Sequence, residues 1–400
     1  MKVVIVGGGV AGLEALLALR DLAEDRVELT LVAPASEFIY RPLTVVEPFT
    51  FQPAERRALE PIAAELGADF VQAGLERVAP GEHSIELSDG SALDYEALVV
   101  CIGGRPKSPF RNAQTFGGAE DQLEIDALIE KAKDGRMAFV VPPGVTWPLP
   151  IYELALMSDR RARELARVVQ CVVVTPESAP LIMFGKTASD SVSKLLKVRN
   201  IEVQPSTYAR ESETGSIVLS PGGEELDAAC VIALPVIEGR QIAGLPTDDK
   251  GFIPIDHHAR VPGADDVYAA GDGTSFPIKQ GGLATQQADA AAEHIAARAG
   301  APIEAKPFRP ILRGKLLTGE ASIHMRHDPA GGGGEGTASE DYLWWPPHKV
   351  SGRYLASWLA QSMPREPEAP SPPLDVEVAM PHEWYKEPMG LDPYGPLGGD

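Results

Sequence analysis

The strongest chemical signal in the chain is a run of glycines. Gly7, Gly8, Gly9 and Gly12 follow the apolar run Val3 to Val6 and lead into the helical run Leu13 to Leu22. A strand, turn and helix of that spacing bind a dinucleotide. Gly7 lets the chain turn, Gly9 lets the backbone approach a pyrophosphate, and Gly12 lets the helix pack closely on the strand. The helix start then offers free N–H groups and a partial positive charge to the phosphates. A second strand, Val27 to Val32, follows at the expected distance. It ends in Val32, Ala33 and Pro34, without the acid that would hold a ribose hydroxyl.

Two further segments end apolar strands in glycine. Ala97 to Ile102 runs into Gly103, Gly104, Arg105 and Pro106, where glycines admit a ligand to the backbone and the proline stops any helix. Asp266 to Ala270 runs into Gly271, Asp272 and Gly273, and an alanine-rich helix begins after Gly281 and Gly282. An acid at a strand end facing a helix start is placed to hydrogen-bond ribityl hydroxyls, with the helix dipole toward the electron-rich end of an isoalloxazine.

Other chemistries find little support. Cys101, Cys171 and Cys230 are odd in number, widely spaced and set in apolar strand-like runs, which predicts buried inert thiols. His257 and His258 precede a polar loop at no ligand spacing, and no metal is assigned. The formal charge of −21 and the lack of clustered Lys and Arg exclude a nucleic-acid surface. No apolar stretch is long enough to span a membrane, and the first strand leaves no room for a signal peptide, which points to a cytoplasmic protein.

The elements that must position these residues fill more than one domain, as 400 residues predict. After the second strand, the segment Ser36 to Phe49 reads as an aromatic loop with two prolines, followed by a helix over Glu55 to Leu66. Residues 113–246 repeat the pattern: an acidic helix Asp121 to Lys133, a strand from Met137, a loop, a helix Tyr152 to Ala166, and a strand Val168 to Val174. That loop carries Pro142, Pro143, Trp147, Pro148 and Pro150 where a nucleotide site has glycines, so the fold is expected there without the function. Trp147 either packs or lines the substrate side of a flavin. Beyond residue 305, Pro307 to Gly314 and its continuation read as a strand pair, Gly331 to Gly334 as a loop, and Tyr354 to Leu359 as a short amphipathic helix. Trp344 and Trp345 suit core or dimer contacts and, alternatively, a membrane interface. Residues 363–400 are Pro-rich and acidic and read as a largely disordered tail, of which Trp384 and Tyr385 could dock on the body of the protein.

Jointly, Gly7 to Gly12, Val99 to Pro106 and Val267 to Gly273 resemble the three flavin-contacting segments of the flavoprotein superfamily with two dinucleotide-binding domains, which includes the disulfide reductases. The resemblance covers about residues 1–305. Within the superfamily the chain most resembles the sulfide:quinone oxidoreductase branch. The similar stretches are the aromatic loop after the second strand, Pro150 to Glu153, Val172 to Glu177, and the turn Lys279 to Gly282. The resemblance implies an α/β fold of two Rossmann-like, three-layer domains. The first would be discontinuous (1–112 and 247–305) and hold FAD, the second would be a degenerate NAD(P)-type domain (113–246), and a C-terminal region would follow (306–362). It places FAD against Gly7, Gly9, Val10, Ala11, Gly12, Ala33, Arg41, Val78, Cys101, Gly103, Arg105, Gly271, Asp272, Lys279 and Gly282.

That family passes electrons from sulfide through FAD to a membrane quinone, using a pair of redox cysteines. Here Trp147 takes the place of one cysteine, and none lies near Phe276 to Gly282. An indole cannot replace a thiolate nucleophile. The reading is therefore an FAD-dependent oxidoreductase with a small-molecule donor and a quinone or small redox protein as acceptor. Lys279 is the candidate group beside the flavin N1 to O2 edge, and peripheral contact with the inner membrane face and a homodimer both fit. One alternative is a type II NADH:quinone oxidoreductase, suggested by Ala284 to Ala288, with Glu153 or Glu177 on the nicotinamide. Another is a non-catalytic flavin-binding protein acting through its C-terminal aromatic segment.

Overall fold

A computed structural model describes residues 1–50, 53–117, 123–329, 335–362 and 376–379. The apolar run at the N-terminus, Lys2–Val6, forms the middle strand of a five-stranded parallel sheet. Ala97–Val100 and then Val267–Ala269 lie to one side of it, and Glu28–Val32 and then Ala68–Val71 to the other. Successive side chains of a strand point to opposite faces, and a parallel sheet needs both faces covered. Val3 and Ile5 accordingly pack beneath Leu13 and Leu16 of the helix Val10–Ala23, whereas Val4 and Val6 pack beneath Val78, Ile85 and Leu87 of an antiparallel ribbon. The helix Gly281–Arg298 lies against Val10–Ala23. Buried alanines on both, among them Ala11, Ala15, Ala18, Ala284, Ala288 and Ala291, let the two backbones approach.

A second five-stranded parallel sheet repeats the design in the order Gln114–Thr115, Cys230–Ala233, Arg136–Val140, Gln170–Val174 and Glu202–Gln204. Met137 and Phe139 face the helices Leu149–Glu164 and Lys186–Val198, and Ala138 and Val140 face the hairpin Tyr208–Glu211 and Ile217–Ser220. The C-terminal part adds an antiparallel sheet of Leu312–Leu316, Ile323–His327 and Thr337–Ser339, then the helix Leu355–Ser362. The architecture is α/β, with two parallel sheets each between a helical and an antiparallel layer.

Several expected elements shift. Arg56–Ala58 is a strand paired with Glu37–Ile39, and the helix starts only at Leu59, where buried Leu59, Ile62 and Ala63 begin the helical period. The aromatic segment closes into a 3-10 turn, Arg41–Val46, and one helical turn, Glu47–Thr50, both compatible with prolines near their starts. The second-unit helix starts earlier than expected, at Leu149, because prolines are tolerated in a first turn. Leu312–Leu316 pairs with the later Ile323–His327 instead of folding back within 307–314. Of the alternatives for Trp344 the structure takes the core one: it is 2% exposed and its Nε1–H donates to His348 O at 3.0 Å. Part of the tail is ordered, since Glu377–Val378 pairs in parallel with Trp344–Trp345. Asp121, Gly331 to Gly334, Trp384 and Tyr385 lie outside the described residues.

Candidate functional site

The glycine turn is built by exclusion. Gly7 has a φ of 119°, its N–H donates to Val32 O at 2.7 Å, and a Cβ there would lie 2.1 Å from Cys101 O. A Cβ at Gly12 would lie 1.7 Å from Gly7 O. Both positions therefore admit only glycine. Gly9 is the opposite case, for a Cβ there would meet nothing within 4 Å. Gly9 is also the N-cap of the helix Val10–Ala23, which has no side-chain cap and no acid in its first turn. The first N–H groups of a helix lack internal partners, and here the first internal bond starts at Leu13. The N–H groups of Val10, Ala11 and Gly12 thus border a space the chain leaves clear, which fits a pyrophosphate.

The other two glycine segments close on this turn. Gly271, with a φ of 90°, donates its N–H to Gln287 Oε1 at 2.7 Å, and its Cβ position lies 3.3 Å from Ala11 Cβ. The Cβ position of Gly273 is 3.1 Å from Gly103 O, and that of Gly104 is 3.5 Å from Asp272 O. The strand end, the flavin-type acid and the first helix therefore meet at one place. Burial pushes the Asp272 carboxyl above the ordinary range, while the charges of Lys279 and Arg41 pull the other way. A carboxylate near two cations with acceptor oxygens to offer suits sugar or ribityl hydroxyls.

Lys279 folds back on its own loop. Its ammonium donates to Thr274 O and, at 2.8 Å, to Phe276 O, and it stands 3.6 Å over the Phe252 ring. Burial lowers it to about 8, against the opposing charges of Asp272 and Asp248. Its backbone N–H reaches Thr146 Oγ1 at 3.4 Å, which brings the proline-rich loop beside the acid segment. Trp147, next in that loop, packs edge-on against Phe184 at 5.6 Å.

The remaining expected residues divide. Ala33 is buried beside Gly8, whose Cβ position lies 3.2 Å from it, and Gly282 is buried at the start of the second helix. Cys101 packs behind the turn, and burial raises its thiol to about 12. Val78 stands in the core of the antiparallel ribbon with its N–H given to Ala243 O. Arg105 is exposed and bonded to Glu238 at 2.9 Å. Both alternative nicotinamide contacts have partners within the protein. Glu153 is fully buried, bonded to Lys349 Nζ at 2.6 Å and Leu317 N at 2.9 Å. Glu177 accepts from Tyr152 O–H at 2.6 Å and Thr175 O–H at 3.0 Å, and burial raises it to about 7.

Sequence reasoning missed the residues that lock the site. Gln280 caps the second helix by accepting from Leu283 N at 2.7 Å and donates to Arg313 O. Gln286 exchanges two bonds with the Ile311 backbone, and Gln287 holds Gly271. The glutamines of Ala284 to Ala288 thus serve the fold of the site. Glu14, fully buried in the first helix, accepts from Tyr354 N at 2.9 Å and Leu355 N at 2.7 Å. A lone acid among Leu13, Ala15, Leu16 and Leu17 was the available signal.

The model of the pyridine nucleotide-disulphide oxidoreductases matches residues 1–294. A sulfide-quinone reductase of Aquifex aeolicus is 24% identical over 265 residues, 62% of this chain and 61% of that protein, so the match spans less than two thirds of the relative. A mitochondrial sulfide:quinone oxidoreductase of Dictyostelium discoideum is 29% identical over 352 residues, 82% of this chain and 72% of that one. The X-ray structure of the sulfide:quinone oxidoreductase from Aquifex aeolicus shares the fold at a TM-score of 0.76 and 20% identity, covering 84% of this chain and 86% of that one. The chain belongs to the pyridine nucleotide-disulphide oxidoreductase family.

Proposed function

We propose that this protein carries electrons from a small-molecule donor through FAD to a quinone or a small redox protein, with no dithiol step. FAD supplies the two-electron chemistry when bound, and the chain supplies placement and charge. The N–H groups of Val10 to Gly12 would hold the pyrophosphate and Asp272 the ribityl chain. Lys279 would fix the loop Thr274 to Phe276 and bring a cation close to Asp272.

The observation that carries the reading is the state of the three thiols. Cys101, Cys171 and Cys230 are all buried, and burial pushes each thiol up, Cys101 to about 12 and Cys230 to about 11. A thiol so far from ionisation is a poor nucleophile at neutral pH. Trp147 and Phe184 stand at the loop where a reacting thiol would be needed. The start of the helix Leu149–Glu164 is also shielded, because the strand Leu312–Leu316 crosses it and a Cβ at Gly314 would lie 2.5 Å from Phe184 Cζ and 2.9 Å from Leu149 Cδ1. This supports a second unit that binds no pyridine nucleotide.

An apolar acceptor suits the loops beside the site, where Phe49, Val145, Trp147, Phe276 and Ile278 are partly exposed and pack on the second core. No helix among the described residues is long and apolar enough to cross a membrane, so a lipid-borne quinone would be met by peripheral contact. The test is an absorbance spectrum of the purified protein followed by anaerobic titration with NADH, NADPH and sulfide. The flavin should stay oxidised with both pyridine nucleotides. Bleaching by either one refutes the closed second unit, and loss of sulfide or quinone turnover on alkylating the folded protein refutes the thiol-free route.

A further inference from the structure

The strand Leu312–Leu316 divides its side chains between two faces, as any strand must. Leu312, Gly314 and Leu316 face the second unit, where both leucines are buried and a Cβ at Gly314 would press on Phe184 and Leu149. Arg313 and Lys315 therefore stand on the other face, together with Arg326 and His324 of the neighbouring strand Ile323–His327. Arg313 and Arg326 are direct register partners. Like charges placed directly opposite each other repel. Arg313 is only 8% exposed, so solvent screens the repulsion poorly. Such a pair calls for an anion.

The chain supplies that anion from its own tail. Glu377 accepts from the Arg313 guanidinium in a two-pronged contact, from Nε to Oε2 at 3.0 Å and from Nη2 to Oε1, and its Oε2 lies 3.5 Å from Arg326 Nε. Among the described residues no other acid pairs with either arginine. A two-pronged contact between arginine and carboxylate selects geometry as well as charge. The backbone follows. Glu377–Val378 pairs in parallel with Trp344–Trp345, Ala379 donates its N–H to Trp345 O at 2.7 Å, and Ser357 Oγ donates to Ala379 O at 2.9 Å. Pairing along a strand edge, with one side chain in a charged pocket, is how extended peptides are captured. Glu377 and Val378 are both exposed, so the segment is seated by the ion pair and the backbone and not by apolar burial.

We propose that the Arg313–Arg326 pair and the Trp344–Trp345 edge form a docking groove for an extended acidic peptide, filled in cis by residues 376–379 as an exchangeable strap. The groove touches both units of the chain. Arg313 O accepts from Gln280 Nε2 at 3.1 Å, and Gln280 caps the helix Gly281–Arg298. On its far side the same strand covers Phe184 and Leu149. A strap on Arg313 thus holds down the strand that shields the second unit, and an acidic peptide presented in trans competes for the same place.

The test uses the full-length chain, its Glu377→Lys variant, and a fluorescently labelled synthetic peptide of residues 374–381, with binding read by anisotropy. The substitution makes the contact with Arg313 and Arg326 repulsive and should vacate the groove. The peptide should bind the variant more tightly than the parent chain, whose own strap competes. A peptide carrying Glu377→Gln should bind the variant about 10-fold more weakly than the acidic one, the loss of one charge-assisted contact. Equal binding to both chains, binding to neither, or binding indifferent to the acid refutes the groove. Should the variant fail to fold, hydrogen exchange of the parent chain decides. Excess peptide should displace the strap and speed exchange at the Ala379 amide, and unchanged exchange overturns the proposal.

Discussion

Gly9 and Gly12 are three residues apart in one turn, yet the structure gives them opposite reasons to be glycine. At Gly9 an alanine methyl would meet no protein atom within 4 Å. In the flavin-free protein Gly9→Ala should therefore cost only the capping difference between glycine and alanine, about 0.5–1 kcal/mol. In the complex the methyl would stand where the pyrophosphate approaches, displacing charge-assisted hydrogen bonds of roughly 1.5–3 kcal/mol each. Losing one such bond weakens FAD binding by about 10-fold to 100-fold. At Gly12 the methyl carbon would sit 1.7 Å from Gly7 O, a backbone atom that cannot rotate away. Gly12→Ala should cost about 3 kcal/mol, the upper end for overpacking, with or without FAD. Thermal unfolding of the flavin-free proteins and FAD titration by fluorescence separate the two quantities. If Gly9→Ala binds FAD like the parent, the clear space is not the pyrophosphate's. If Gly12→Ala unfolds like the parent, the steric account of the turn fails.

The other predictions concern the acids, the thiols and the C-terminal segment. Asp272→Ala should retain the fold and lose FAD on gel filtration, by an amount equal to one or two charge-assisted bonds of roughly 1.5–3 kcal/mol each; full retention of the flavin would remove Asp272 from the site. Glu177 has a folded-state value raised to about 7 from 4.5, so the folded chain holds the extra proton and stability falls as pH rises between those values. In denaturant titrations Glu177→Gln should flatten that fall, and an unchanged pH profile would show that Glu177 does not titrate as described. Alkylating reagents should leave all three cysteines unmodified in the folded protein, as counted by mass spectrometry with and without denaturant, and rapid labelling of Cys101 would contradict its burial. Deleting everything after Gly300 should give aggregated chain, because Glu14 would lose its N–H donors and the first core would lose Val350, Leu355 and Leu359; soluble, FAD-loaded protein would show that the C-terminal segment is dispensable.

What could be read from the sequence depended on how local the constraint is. Gly7 and Gly12 exclude side chains because of atoms a few residues away or one strand across, so their spacing reports the turn directly. Asp272 follows a strand within a single unit, so its place at a strand end is equally local. Glu14, by contrast, meets Tyr354 and Leu355 from 340 and 341 residues away, and no periodicity encodes such a partner. Glu153 looked like a ligand contact because it follows a loop of the right position. Its partner Lys349 lies 196 residues further on, and the pair is buried at 0% and 8% exposure, which makes it a staple between the second unit and the C-terminal segment. Trp344 could be read as a core contact, and two of its partners are near in the chain, His348 four residues on and His324 twenty residues back.

These long-range contacts also bear on why the electron donor is harder to read than the cofactor. The cofactor turn depends on backbone geometry that few residues can provide, so its glycines are diagnostic. The second unit keeps the same strand, loop and helix order, but its loop carries Trp147 against Phe184, and Phe184 and Leu149 lie beneath a strand from the C-terminal sheet. The packing of that side is thus set by a partner well over a hundred residues downstream, not by a motif within the unit. A Gly314→Val substitution would press on Phe184 and Leu149 without touching the glycine turn. It should alter reaction with donors while leaving FAD affinity unchanged, whereas a parallel loss of FAD would mean that the two units do not divide the work in this way.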